Sequence, residues 1–115
     1  MLIKQFEIWL ADLNPKLGTE PGKTRPVLIV QTNLLNKVGH PSTIICPITT
    51  NVKMESEILR VHLTKETSNL HRESDVMIDQ LRAIDNNRLI KRIGKLPTDM
   101  AAVVLENLKI ILDLD

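Results

Sequence analysis

The apolar residues of this chain come in short bursts, and proline or glycine stands beside most of them. VLIVQ at 27–31 follows Pro26, TIICPI at 43–48 carries Pro47, and the apolar positions of 89–93 stop at Gly94. Runs this short and rich in β-branched residues suit buried strands better than helices. A membrane span needs about 18 consecutive apolar residues, and no segment approaches that. Other stretches alternate: Phe6, Ile8 and Leu10 against Glu7, Trp9 and Ala11, then Leu59, Val61 and Leu63 against Ile58, Arg60 and His62. Such a period of two gives a strand unlike faces. SDVMIDQLRAI, 74–84, reads as one further strand bent near Gln80, and NNRLIKRIGKLP as a short turn followed by a strand. TNLLNKVGHP suits a single turn of helix.

Two segments break the β pattern. NPKLGTEPGKTRP holds three prolines and two glycines in thirteen residues and reads as a long loop, which in a small domain is often functional. After Pro97, Thr98 is placed to cap a helix through about residue 113, with Asp99 near its positive end. The wet stripe of that helix is narrow: Asp99, Ala102, Glu106, Lys109 and Asp113. Its remaining apolar circumference exceeds the roughly 100° that a surface helix needs, enough to pack on its own sheet and on another subunit. Five to seven short strands with one terminal helix predict a mainly β fold, a small curved sheet or barrel, formed as one domain over 1–115.

Composition narrows the chemistry. The 43% hydrophobic and 25% charged residues are globular in balance. MLIKQFEIWL interrupts its apolar residues with Lys4, Gln5 and Glu7 and lacks a small-residue cleavage site, so a cytoplasmic location is expected. Cys46 is the lone cysteine and is expected as a buried small hydrophobe; no internal disulfide or multi-cysteine metal site can form. His40, His62 and His71 lack a local metal motif. A pair of imidazoles at His62 and His71 would suit ribonuclease chemistry, yet each has an ordinary place on a wet strand face or in a loop. Net charge is +1, but residues 1–97 hold fourteen Lys and Arg against ten Asp and Glu, a basic body that permits phosphate contacts. With Phe6 and Trp9 as the only aromatics, a base-stacking platform is not expected.

Two strand ends carry unusual polar residues. Arg25 precedes Pro26, and the residue before a proline is pushed into extended conformation, which fixes where the guanidinium leaves the chain. Thr49 and Thr50 follow IICPI. If the two strands are neighbours, a guanidinium and a hydroxyl meet at one rim; an ion pair of Arg25 with Glu20 or Asp79 is the plainer alternative.

EIWLADLNP, the pattern from Gly18 and Glu20 to the RPVLIV of Arg25–Val30, PIT at 47–49 and DQLRAID at 79–85 together resemble the MazF/PemK/Kid family of mRNA interferase toxins. The likeness runs over essentially the whole chain. It implies a homodimer of small SH3-like β-barrels, the fold shared with CcdB toxins, that cuts single-stranded RNA without metal or cofactor, leaves 2′,3′-cyclic phosphate and 5′-hydroxyl ends, and is silenced by the C-terminal segment of a cognate MazE/PemI-like antitoxin. By position, Arg25 and Thr49 match the catalytic arginine and threonine, and Asp79 an aspartate proposed as base in Kid-like members. Glu20, Lys16, Lys23, Thr50, Lys53 and Gln80 are the expected RNA contacts. Two positions depart: Met77 stands where Kid-like members have a basic residue, and Thr19 where some carry histidine. The alternative from another class is a CcdB-like binder of DNA gyrase acting through an exposed C-terminal helix, which would need no phosphate grip.

Overall fold

The computed structural model describes residues 2–53 and 59–115. Its strands are β1 (Glu7–Asp12), β2 (Thr24–Ile29), β3 (Ser42–Thr49), β4 (Arg60–Leu63), β5 (Ser74–Met77), β6 (Arg82–Asp85) and β7 (Leu89–Lys95). The helices are α1 (Asn33–Lys37) and α2 (Thr98–Ile111). Every pairing among them is antiparallel, in the order β4-β5-β3-β2-β1-β7, with β6 also on β3. The protein is therefore a mainly β fold with a C-terminal helix, as expected, though the ladder of described strands does not close into a complete ring.

The prolines fall where the ladder can do without an N–H. Pro26 does not open its strand: β2 begins at Thr24, and Pro26 faces Leu10 of β1. Pairing of β2 with β3 starts only at Val27, so Pro26 still has one side without a partner strand. Pro47 does not disturb the end of β3. On the side away from β2, that strand pairs with β6 at 42–45 and with β5 at 48–49, so Pro47 lies in the gap between the two partners.

SDVMIDQLRAI is two strands rather than one bent strand. A 3-10 turn over Ile78–Gln80 separates β5 from β6, and the chain uses it to leave one end of β3 and rejoin the other. Alternation fails here because β5 is buried on both faces, Ser74, Asp75 and Met77 included. The turn-then-strand reading of 86–95 agrees with the structure: a 3-10 turn at Asn86–Arg88 leads into β7. In β4, Val61 and Leu63 are buried while Arg60 and His62 are half exposed; the expected first residue of that strand, Ile58, lies outside the described residues.

The central strands bury both faces. On one, Ile8, Leu28, Cys46, Ile48, Val76 and Ile78 pack with Val61 and Leu63 under Ala101 and Val104 of α2. On the other, Trp9, Ala11, Leu13, Val27, Ile29 and Ile45 meet Ile84 and Leu89. This explains why VLIV and TIICPI are continuous apolar runs, and why Trp9, set opposite Ile8, covers a second core. Burial pushes the Cys46 thiol up to about 12, in keeping with an inert packing residue.

Glu7 is buried between these strands and accepts hydrogen bonds from Lys4 N–H, Trp9 Nε1 and Arg92 Nε, at 2.9, 3.1 and 2.7 Å. The entry to α2 differs from expectation. The helix starts on Thr98 itself, Pro97 holds the cap position, and no side chain caps it, because extended Pro97 with its fixed φ already turns the chain into the helix. α2 buries Ala101 and Val104, whereas Val103, Leu105 and Ile110 stay exposed. Among the described residues no helix is long and apolar enough to cross a membrane.

Candidate active site

The register of β2 on β3 pairs Val27 with Pro47. Continued two residues outward, it sets Arg25 opposite Thr49, so both side chains emerge on one face. They line a cleft of about 220 Å³ together with Lys23, Thr50 and Asn51. They also line an adjoining one of about 290 Å³ with Lys16, Glu20, Arg60 and Met77. Sharing both residues, the two clefts form one concavity at the rim of the sheet.

Arg25 is held by neutral groups. Its Nε donates to Gly22 O at 2.9 Å and its Nη1 to Ile48 O at 3.5 Å. Among the described residues no carboxylate pairs with it. The plainer alternative raised by the sequence does not hold: Glu20 lies instead beside Arg82, Oε1 to Nη1 at 3.5 Å. Partial burial lowers the Arg25 pKa from its ordinary value, but an arginine remains cationic at any working pH. Thr49 Oγ1 accepts the Asn51 N–H at 3.1 Å, an arrangement that fixes the hydroxyl while leaving its proton to donate.

The loop before β2 is built to present this pair. Leu13 N–H donates to Lys23 O and Lys23 N–H to Asn14 Oδ1, both at 2.8 Å. Arg88 Nη1 clamps the loop's first carbonyls, Asp12 O at 3.1 Å and Asn14 O at 2.6 Å. Gly22 is required by close approach, since a β-carbon there would come within 2.7 Å of Lys16 Cβ. Its carbonyl is the acceptor for Arg25, so the glycine and the guanidinium are placed by the same crossing.

Of the residues singled out from the sequence, Arg25, Thr49, Lys16, Lys23, Glu20 and Thr50 line this concavity. Asp79 and Gln80 lie on the 3-10 turn after β5 and line neither cleft; Asp79 is exposed and its charge acts on Cys46. Lys53 also lines neither cleft; its N–H donates to Asp75 Oδ2 at 3.0 Å. His62 and His71 are apart in role: His62 Nδ1 is 3.2 Å from Asp75 Oδ1, and His71 lines a separate cleft with Leu70 and Lys91. Among the described residues no three His, Cys, Asp or Glu side chains converge as a metal site would require.

Asp75 is the group that sequence reasoning missed. It is 1% exposed. Burial by itself would raise its pKa, but hydrogen bonds from Lys53 N–H, Arg60 and His62 and the Arg60 charge hold it below the ordinary aspartate range. It looked like one polar residue of an alternating strand, and only the pairing of β4 with β5 reveals its partners.

The comparisons with known proteins bear on the family. Residues 4–112 match the sequence profile of the PemK-like, MazF-like toxins of type II toxin–antitoxin systems. The chain belongs to this family. The toxin is 32% identical over 114 residues to Endoribonuclease EndoA of Bacillus subtilis, covering 99% of this chain and 97% of that protein. It is equally similar, 32% over 114 residues with 99% and 100% covered, to Endoribonuclease MazF6 of Mycobacterium tuberculosis. Among solved structures it resembles the M. tuberculosis toxin MazF-mt6, with TM-score 0.78, 26% identity and 95% and 98% of the two chains covered. A MazE-MazF crystal structure from Deinococcus radiodurans matches at TM-score 0.78 and 21% identity over the full length of both chains, a likeness of fold.

Proposed function

We propose that the toxin is an endoribonuclease that cuts single-stranded RNA, mRNA included, at selected sequences by attack of the 2′-hydroxyl on the adjacent phosphorus, leaving 2′,3′-cyclic phosphate and 5′-hydroxyl ends without a metal. The observation that carries this reading is the guanidinium of Arg25, paired with no carboxylate among the described residues, beside the Thr49 hydroxyl in a concavity with lysines at its edge. Two relatives of nearly the same length are named endoribonucleases, which supports the same substrate class.

Cleavage by this route needs a base to take the 2′-hydroxyl proton, negative charge stabilised on a five-coordinate phosphorus and a proton supplied to the 5′-oxygen. Arg25 answers the need for charge stabilisation: its planar fork grips two phosphate oxygens, and among the described residues no carboxylate competes for it. Thr49 donates to the same phosphate and holds the scissile bond in line. Lys16, Lys23 and Thr50 extend the grip along the backbone. Asp79 remains the candidate base by position in the family pattern, with Gln80 and Lys53 as outer contacts. Glu20, tied to Arg82, orders the loop against which the strand of RNA lies.

A homodimer silenced by a MazE/PemI-like antitoxin completes the proposal. It is supported by the family and by the MazE-MazF complexes among the structural neighbours. A long unstructured RNA incubated with the protein in EDTA should yield discrete fragments whose 3′ ends resist ligation until the cyclic phosphate is opened and the resulting phosphate removed. RNA left whole under these conditions, with gyrase cleavage complexes accumulating instead, would refute it.

A further inference from the structure

Resting on that reading, we infer that Arg60 is a second phosphate-binding residue of the same concavity, placed by β4 and oriented by the buried carboxylate of Asp75. Register carries the argument. Thr49 faces Asp75 across β3 and β5, Met77 faces Arg60 and Asp75 faces His62 across β5 and β4. Directly opposed residues of an antiparallel ladder share a face, so Arg25, Thr49, Asp75, Met77 and Arg60 follow one another along a single face through four strands. Arg60 and Met77 line the cleft with Arg25 and Thr49.

The hydrogen bonds show how the side chain is held. Arg60 Nη1 donates to Asn51 O at 3.1 Å and to Asp75 Oδ2 at 3.1 Å. Nη1 bears two protons, and these two bonds engage both. Among the described residues the bonds of Arg60 all leave from Nη1, so Nη2 and Nε are left to reach an anion in the cleft. Asp75 in turn is fixed by Lys53 N–H and His62, so the guanidinium is oriented before any ligand arrives, which removes the ordering cost of a long side chain. Its side chain is 18% exposed against 2% for Asp75; the carboxylate is a hidden brace and the cation faces outward. Met77 adds apolar wall and no charge, and Glu20, which also lines the cleft, lies beside Arg82. Arg25 and Arg60, lining one cleft, therefore suit phosphates of one strand.

The test is salt-dependent binding of a 2′-O-methylated, uncleavable copy of the RNA that the parent cuts, with steady-state cleavage in parallel. Arg60→Gln should weaken binding roughly tenfold and flatten the slope of log Kd against log salt by about 0.7, one phosphate contact on a single strand. It should raise KM with kcat little changed. Arg60→Lys should restore the slope and only part of the affinity. Because Arg60→Gln strands a buried carboxylate, the paired change Arg60→Gln with Asp75→Asn serves as the folded control and should show the same lost slope. A cutting parent whose paired variant keeps its affinity and slope, with only its melting temperature moved, would overturn this inference alone. A parent that neither binds nor cuts RNA would overturn the ribonuclease reading as well.

Discussion

Among the described residues Arg25 is bonded to carbonyls and to no carboxylate, unlike Arg60, Arg82 and Arg92. Replacing it by lysine keeps the charge but loses the planar fork. Arg25→Lys is expected to retain less than about a tenth of kcat/KM on RNA, measured under single-turnover conditions. Asp75 makes a different prediction. Its folded pKa lies below that of the unfolded chain, so its contribution to stability is present above about pH 4, the unfolded value, and is lost as pH falls through the folded one. Urea unfolding from pH 2 to 7 should show Asp75→Asn much less stable than the parent at pH 7, with the gap narrowing as pH falls below about 4. Equal gaps at both ends would contradict the assignment. Arg25 and Thr49 were legible in the sequence because each stands at the edge of an apolar run, a local signal. Asp75 and Arg60 were not: their meaning depends on a pairing between β4 and β5 across a loop, and neighbouring letters do not encode it.

At the scale of elements, the strands with continuous apolar runs are the ones buried on both faces, and the structure assigns each residue to one core or the other. Leu28→Ala, fully buried between β1 and β3, should cost about 2–5 kcal/mol. Ile110→Ser, exposed on α2, should change the stability of the isolated chain by less than about 0.5 kcal/mol. Chemical denaturation of both variants checks the contrast. The loop before β2 gives a third expectation: Gly22→Ala forces the crossing over Lys16 apart and moves the acceptor of Arg25, so RNA cleavage should fall at least tenfold while the melting temperature changes little. The strands before residue 50 were readable because apolar runs and prolines bound them. The split of 74–85 was not, since Ile78 at a buried turn continues the same alternation a strand would show. The helix was placed within about two residues of its observed ends, a normal margin for caps, but the role given to Thr98 belongs to Pro97.

The whole molecule combines a near-neutral sum of charges with a basic body and an acidic terminal helix, a distribution that favours polyanion contacts on the body over the helix. The apolar residues left exposed on α2, Val103, Leu105 and Ile110, are surplus to the folded chain, as the width of the apolar face had suggested. For the proposed homodimer, sedimentation equilibrium should give twice the mass of the chain at micromolar concentration. The central claim is that the guanidinium of Arg25 beside Thr49 is where a phosphodiester is held and broken. Its most direct test is the single-turnover cleavage rate of one defined RNA in EDTA by the parent and by Arg25→Ala, with both melting temperatures recorded. The account predicts a rate lower by roughly a hundredfold or more at a melting temperature within a few degrees; an alanine variant that cuts as fast as the parent would contradict it.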